Sequence, residues 1–228
     1  MAIIEPVKQD PANPRRIKKN SAGLRFWHWA SSFIIFGLLT TVLTNSTILD
    51  DRTNQSFLKT ELQKVGTVLS EKQAQTLAHM QSDEVWKIHI YLGYFLSALF
   101  VFRLIMEFFQ PKDQRFFVRL REVYRQYFVI KQNKFLAKHD LAVRIIYLLF
   151  YLLLLIMVTT GLTLVFSDGV AALKSVRHSV KEVHGFCMYL VLAFIVVHLA
   201  GVFLAERGKS PGIVSDMING GSRDEAGS

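Results

Sequence analysis

The sequence predicts an all-α membrane protein, a bundle of four transmembrane helices. Three observations carry that expectation. Four apolar runs, approximately 24–43, 88–109, 143–166 and 183–204, are each long enough to cross about 30 Å of hydrocarbon as a helix. The third contains YLLFYLLLLIMVTTGLTLVF, which has no charge at all. Lysine and arginine gather in alternate connectors, as they do when a chain threads a membrane.

The chain has 228 residues, enough for one domain. Its mean hydropathy of +0.27 is modest because very apolar runs alternate with strongly polar connectors. Four such helices in a soluble fold of this size would leave little polar surface to cover them.

Taken in order, residues 1–23 form a polar basic arm with Pro6, Pro11, Pro14 and the cluster Arg15, Arg16, Lys18 and Lys19. No cleavable leader is apparent, since the first apolar run is long enough to remain as a span. Residues 24–206 are the single four-span domain. Its outer connector, 45–83, reads as two short amphipathic helices, 56–65 and 70–80, separated by Gly66, with Ser70 and Gln73 forming a capping box. They lie on the outer surface, cap an outer cofactor or act as a solvated spacer. The inner connector, 110–140, holds FFVRLREVYRQYFVI, whose aromatic and basic residues alternate at helical spacing, as in an interfacial helix. Residues 207–228 are a tail that begins GKSPGIVSDMINGG and ends in a segment of disordered composition.

Four spans place both termini on one side. The N-terminal arm and the inner connector are rich in Lys and Arg, whereas the outer connector carries Asp50, Asp51, Glu61, Glu71, Asp83 and Glu84. The positive-inside rule therefore puts both termini in the cytoplasm of a bacterial inner membrane. The formal charge of +9 follows from this topology and from contact with anionic lipid headgroups, and no nucleic-acid motif accompanies it.

Histidine supplies the chemistry. Each of four apolar runs or their edges carries ionisable groups sparingly, and His28, His89, His184 and His198 stand in three of them. Neutral imidazole is a common axial ligand of haem iron. His184 and His198 are fourteen positions apart, so one helix presents both on nearly the same face, displaced by about 21 Å along its axis. Depth then pairs the residues. His28, early in a span entering from the inside, matches His198, late in a span returning there. His89 and His184 both stand at the outer heads of their spans. The expected fold is thus a four-helix bundle with two haems stacked across the bilayer, their irons held by His28 with His198 and by His89 with His184.

Cys187 is the only cysteine, and no C-x-x-C-H motif is present, so both haems b would be non-covalent. Arg103, fourteen residues after His89, falls at the depth of the inner haem. It is a candidate partner for a haem propionate, or else for Glu107 one turn on. Arg25 and Arg144 are further inner-side candidates. Gly93, Gly185 and Gly201 lie beside three of the histidines, where they leave room for a macrocycle or serve helix packing. His79, His139 and His178 have polar neighbours and read as non-ligands.

These stretches resemble the bacterial cytochrome b561 family and the related cytochrome b subunits of membrane-bound hydrogenases. The likeness rests on RFWHWA, VWKIHIYLGY, VFRLI, VHGFCMYLVLAFIVVHLAGVFLAE and GIVSDMINGG, and it runs from about Ser21 to Gly221. The resemblance implies a four-helix bundle with two b-type haems on His28, His89, His184 and His198. It also implies electron exchange with quinone at one end and with a redox protein, such as a hydrogenase or other oxidoreductase subunit, at the other. Two rivals stay open. One is a stand-alone quinone oxidoreductase that oxidises a small reductant such as superoxide near Lys174, Arg177 and Lys181. The other is a non-haem membrane anchor or a zinc or copper protein, although the histidine pairs are too far apart in depth for one tetrahedral site.

Overall fold

A computed structural model describes residues 9–10, 13–17, 22–109, 116–125, 128, 134–167, 169–208, 212–220 and 223–224. The basic residues Lys8, Lys18 and Lys19, part of the inner connector and the side chain of His139 lie outside the described residues.

Among the described residues seven helices carry the fold: α1 (Ala22–Thr47), α2 (Asp51–Lys64), α3 (Glu71–Phe109), α4 (Phe116–Arg125), α5 (Lys134–Phe166), α6 (Ala171–Arg207) and α7 (Ile213–Asn219). Four of them, α1, α3, α5 and α6, are long and apolar enough to cross a membrane. Their apolar side chains are mostly exposed, among them Phe33, Phe36, Phe95, Phe186 and Leu199. Against water each would cost about 25 cal/mol per Å² of apolar surface. Against lipid tails, which are as apolar as the side chains themselves, that cost vanishes.

The chain divides into two compact units. The first comprises Ala30–Ala98. Here the structure differs from the two short helices expected of the outer connector. One of them is α2, which starts earlier than expected because Asp50 caps it, accepting the Thr53 N–H at 3.4 Å. The other is no separate helix but the beginning of α3, which continues without a break to Phe109. The apolar pattern stops near Ile88, yet no Gly or Pro lies between Glu71 and Ile88 to end the helix. The start is as expected: Gly66 turns the chain at φ +84°, and Ser70 and Gln73 cap each other, with the Gln73 N–H donating to Ser70 Oγ at 3.3 Å and the Ser70 N–H donating to Gln73 Oε1 at 2.9 Å.

An antiparallel clasp joins α2 to α3. Buried Asn54 donates to Gln81 Oε1 at 2.9 Å, Asp51 faces His79 at 3.5 Å, and Lys59 pairs with Glu71. Within the same unit the bare face of Gly37 accepts Leu92, whose Cδ1 lies 3.0 Å from where a Cβ would stand.

The second unit comprises Met1–Trp29 and Leu99–Ser228. In it α5 packs along α6, α4 packs on α5, and α7 packs on α6. The amphipathic segment of the inner connector is helical as α4, as its aromatic and basic spacing predicts. The start of α1 meets the end of α3 where the Trp27 indole N–H donates to the Leu99 carbonyl at 3.0 Å. The tail motif GIVSDMING becomes α7, bracketed by Gly212 at φ +88° and Gly220 at φ +100°, backbone angles that suit glycine. Glu206 accepts the Gly212 N–H at 2.8 Å and the Val214 N–H at 3.2 Å, fastening the start of α7 to the end of α6. Its other end is held by α1, because Arg25 donates to the Ile218 carbonyl and Trp29 to the Met217 carbonyl at 3.1 Å.

Among the described residues three short strands, β1 (Gln9–Asp10), β2 (Asn13–Ile17) and β3 (Arg223–Asp224), form an antiparallel sheet in that order. The tail segment expected to be disordered thus contributes a strand that pairs Arg16 with Asp224 and Ile17 with Arg223. That pairing ties the N-terminal arm to the C-terminal tail, in keeping with an even number of spans.

Candidate functional site

The RFWHW segment opens α1, and its alternate residues do different work. Arg25, Trp27 and Trp29 tie α1 to α7 and α3, as described above. His28, between the tryptophans, faces α6. Its ring centroid lies 6.3 Å from that of His198, with the ring planes inclined at 56°. Two imidazoles that share one metal through bonds of about 2 Å stand with centroids roughly 6 Å apart, so this separation suits a common axial ion. His198 is steadied from its own helix by Phe194 one turn earlier, whose ring stacks on it at 5.8 Å and 7°. Phe194 in turn stacks on Phe150 of α5 at 4.4 Å.

On α3, Arg103 is buried, at 3 % exposure. Its Nε donates to the Tyr151 hydroxyl at 3.1 Å, and Nη1 pairs with Glu107 at 3.4 Å. The guanidinium carbon lies 5.9 Å from the Trp27 ring centroid and 5.7 Å from that of Tyr151, within range of cation–π attraction. Of the two expectations for Arg103, the contact with Glu107 is present. A guanidinium has five N–H donors, so these two hydrogen bonds leave others for an anion.

The remaining two histidines stand in separate units. His89, half-buried on α3, places Nδ1 2.8 Å from the Thr41 hydroxyl of α1. His184, half-buried on α6, places Nδ1 2.8 Å from the Thr160 hydroxyl of α5. Gly161 lets the His184 ring approach α5 closely, since a Cβ at Gly161 would lie 3.3 Å from His184 Cε1. Sequence reasoning missed Thr41, Thr160 and Gly161. The only signal was the polar TTG in an otherwise apolar run.

The glycines beside the histidines have space around them. A Cβ at Gly93, Gly185 or Gly201 would meet no described atom within 4 Å. His79 and His178 are exposed, and His79 faces Asp51. Among the described residues no group of three or more His, Cys, Asp or Glu is placed to hold a metal ion by itself. Two imidazoles facing each other at this separation suit a bis-imidazole macrocycle such as haem.

The family model for prokaryotic cytochrome b561 matches residues 20–220, and the chain belongs to that family. No curated protein and no solved structure matches it. Membership makes the chain a multi-pass membrane protein that binds b-type haem and takes part in electron transfer.

Proposed function

We propose that this prokaryotic cytochrome b561 holds two non-covalent haems b and moves single electrons through the membrane between a quinone pool and a redox protein partner. Bound haem supplies the one-electron chemistry, and the chain supplies ligands, spacing and dielectric. His28 and His198 are the axial pair near the cytoplasmic side. His89 and His184, matched in depth by the sequence, are the pair for the outer haem. Arg103, bonded to Tyr151 and paired with Glu107, would offer its remaining donors to a propionate of the inner haem. Both termini lie in the cytoplasm on the Lys and Arg distribution.

The observation that carries this reading is the His28–His198 geometry, two imidazoles from α1 and α6 facing each other at 6.3 Å. Two imidazoles would leave a bound haem iron no open position, which would suit electron transfer rather than binding of oxygen. The test is a dithionite-reduced minus oxidised visible spectrum with a pyridine haemochrome count. Two haems b per chain are expected. A protein from haem-replete cells with no haem absorption would sink the proposal.

A further inference from the structure

The hydrogen bonds at the two remaining histidines fix more than position. A threonine hydroxyl has one proton to donate. At Thr41 that oxygen lies 2.7 Å from the Leu38 carbonyl and 2.8 Å from His89 Nδ1. Thr160 repeats the arrangement, with its hydroxyl 2.6 Å from the Ile156 carbonyl and 2.8 Å from His184 Nδ1. A carbonyl oxygen only accepts, and two oxygens this close repel unless a proton lies between them. The hydroxyl proton therefore goes to the carbonyl, and the hydroxyl oxygen accepts from the histidine. Nδ1 is then the protonated nitrogen in both rings, and Nε2 carries the lone pair. The same local pattern occurs in two separate units, on two different helix pairs.

We infer that Thr41 and Thr160 are positioning residues that set the tautomer and orientation of His89 and His184 and strengthen Nε2 as a donor to iron. The inference rests on the reading of those histidines as ligands of the outer haem. A hydrogen bond accepted from Nδ1–H increases the electron donation of Nε2, as outer partners of metal-bound histidines generally do. Stronger donation favours the ferric state, so the two hydroxyls hold the potential of this haem down. At His184 the bare face of Gly161 leaves room for the ring to lie against α5. The hydroxyls reach the iron only through the rings, and neither threonine is a ligand.

The test compares Thr41→Val and Thr160→Val, which keep shape and lose the hydroxyl, with Thr41→Ser and Thr160→Ser, which restore it. Each is purified as the full-length holoprotein. Haem count, midpoint potentials by redox titration and low-temperature electron paramagnetic resonance are the readouts. His89→Ala and His184→Ala are measured alongside. The expected result is one haem lost in each alanine variant. In each valine variant, one haem of the two should rise in potential with altered g values, or be lost, and serine should restore the wild-type signature. Unchanged potentials and g values in both valine variants would overturn the inference while leaving the ligands in place. So would haem loss that serine fails to repair. Two haems persisting in the alanine variants would overturn the ligand reading itself, a separate failure.

Discussion

His198 and the two histidines that meet threonines are held by different forces. His198 is steadied by a run of rings, Phe150 on Phe194 and Phe194 on the imidazole. His89 and His184 are each held by a threonine hydroxyl that is itself fastened to its own helix. Ring stacking constrains a plane but says little about which nitrogen carries the proton. A hydroxyl with its proton already committed dictates the tautomer. His198 is thus placed mainly by packing, His89 and His184 mainly by direction, and they should respond to different substitutions.

The largest effect is expected from removing an imidazole. His28→Ala or His198→Ala should halve the haem per chain in a pyridine haemochrome assay, leaving the outer haem with its own spectrum. Loss of both haems together would break the comparison, because the sites would not be separable. Phe194→Ala comes next. Lipid can replace most of its contacts, so the loss is mainly the stacking, about 1 kcal/mol. A lower melting temperature in detergent is expected, with g values altered at the inner haem alone. In Gly161→Ala the new Cβ would press on His184 at 3.3 Å, tighter than ordinary contact. The ring must shift by a few tenths of an ångström, and the outer haem should be retained with a changed resonance spectrum. An unaltered outer signal would show that the ring turns freely. Smallest of all, Lys59→Ala removes an ion pair whose Glu71 side chain is 86 % exposed. Such pairs contribute at most about 1 kcal/mol, so haem content and both potentials should stay unchanged.

The parts of the molecule visible in the sequence are those dictated by the solvent. Hydrocarbon demands long apolar helices, and α1, α3, α5 and α6 satisfy that demand. His28 and His198 were legible because helical periodicity and depth act on single residues, one helix at a time. Thr41 and Thr160 were not, because a threonine inside an apolar helix ordinarily bonds its own preceding turn. Both do so here, and only tertiary packing adds a histidine to the same oxygen. Tyr151 escaped notice for a similar reason: within a charge-free run it reads as another apolar ring until Arg103 arrives from α3. The length of α3 was missed because apolar periodicity marks where a helix enters lipid, not where it begins.

That length has a mechanical consequence. Between the clasp at Glu71 and the imidazole at His89 the chain is uninterrupted helix, eighteen residues rising about 27 Å. A loop of that size would absorb an inserted or deleted residue by changing its path. A helix acts as a geared shaft, in which each added residue rotates everything beyond it by about 100°. The register between the clasp and His89 is therefore fixed tooth by tooth, and length changes in this part of the chain are tolerable only in steps near a whole number of turns.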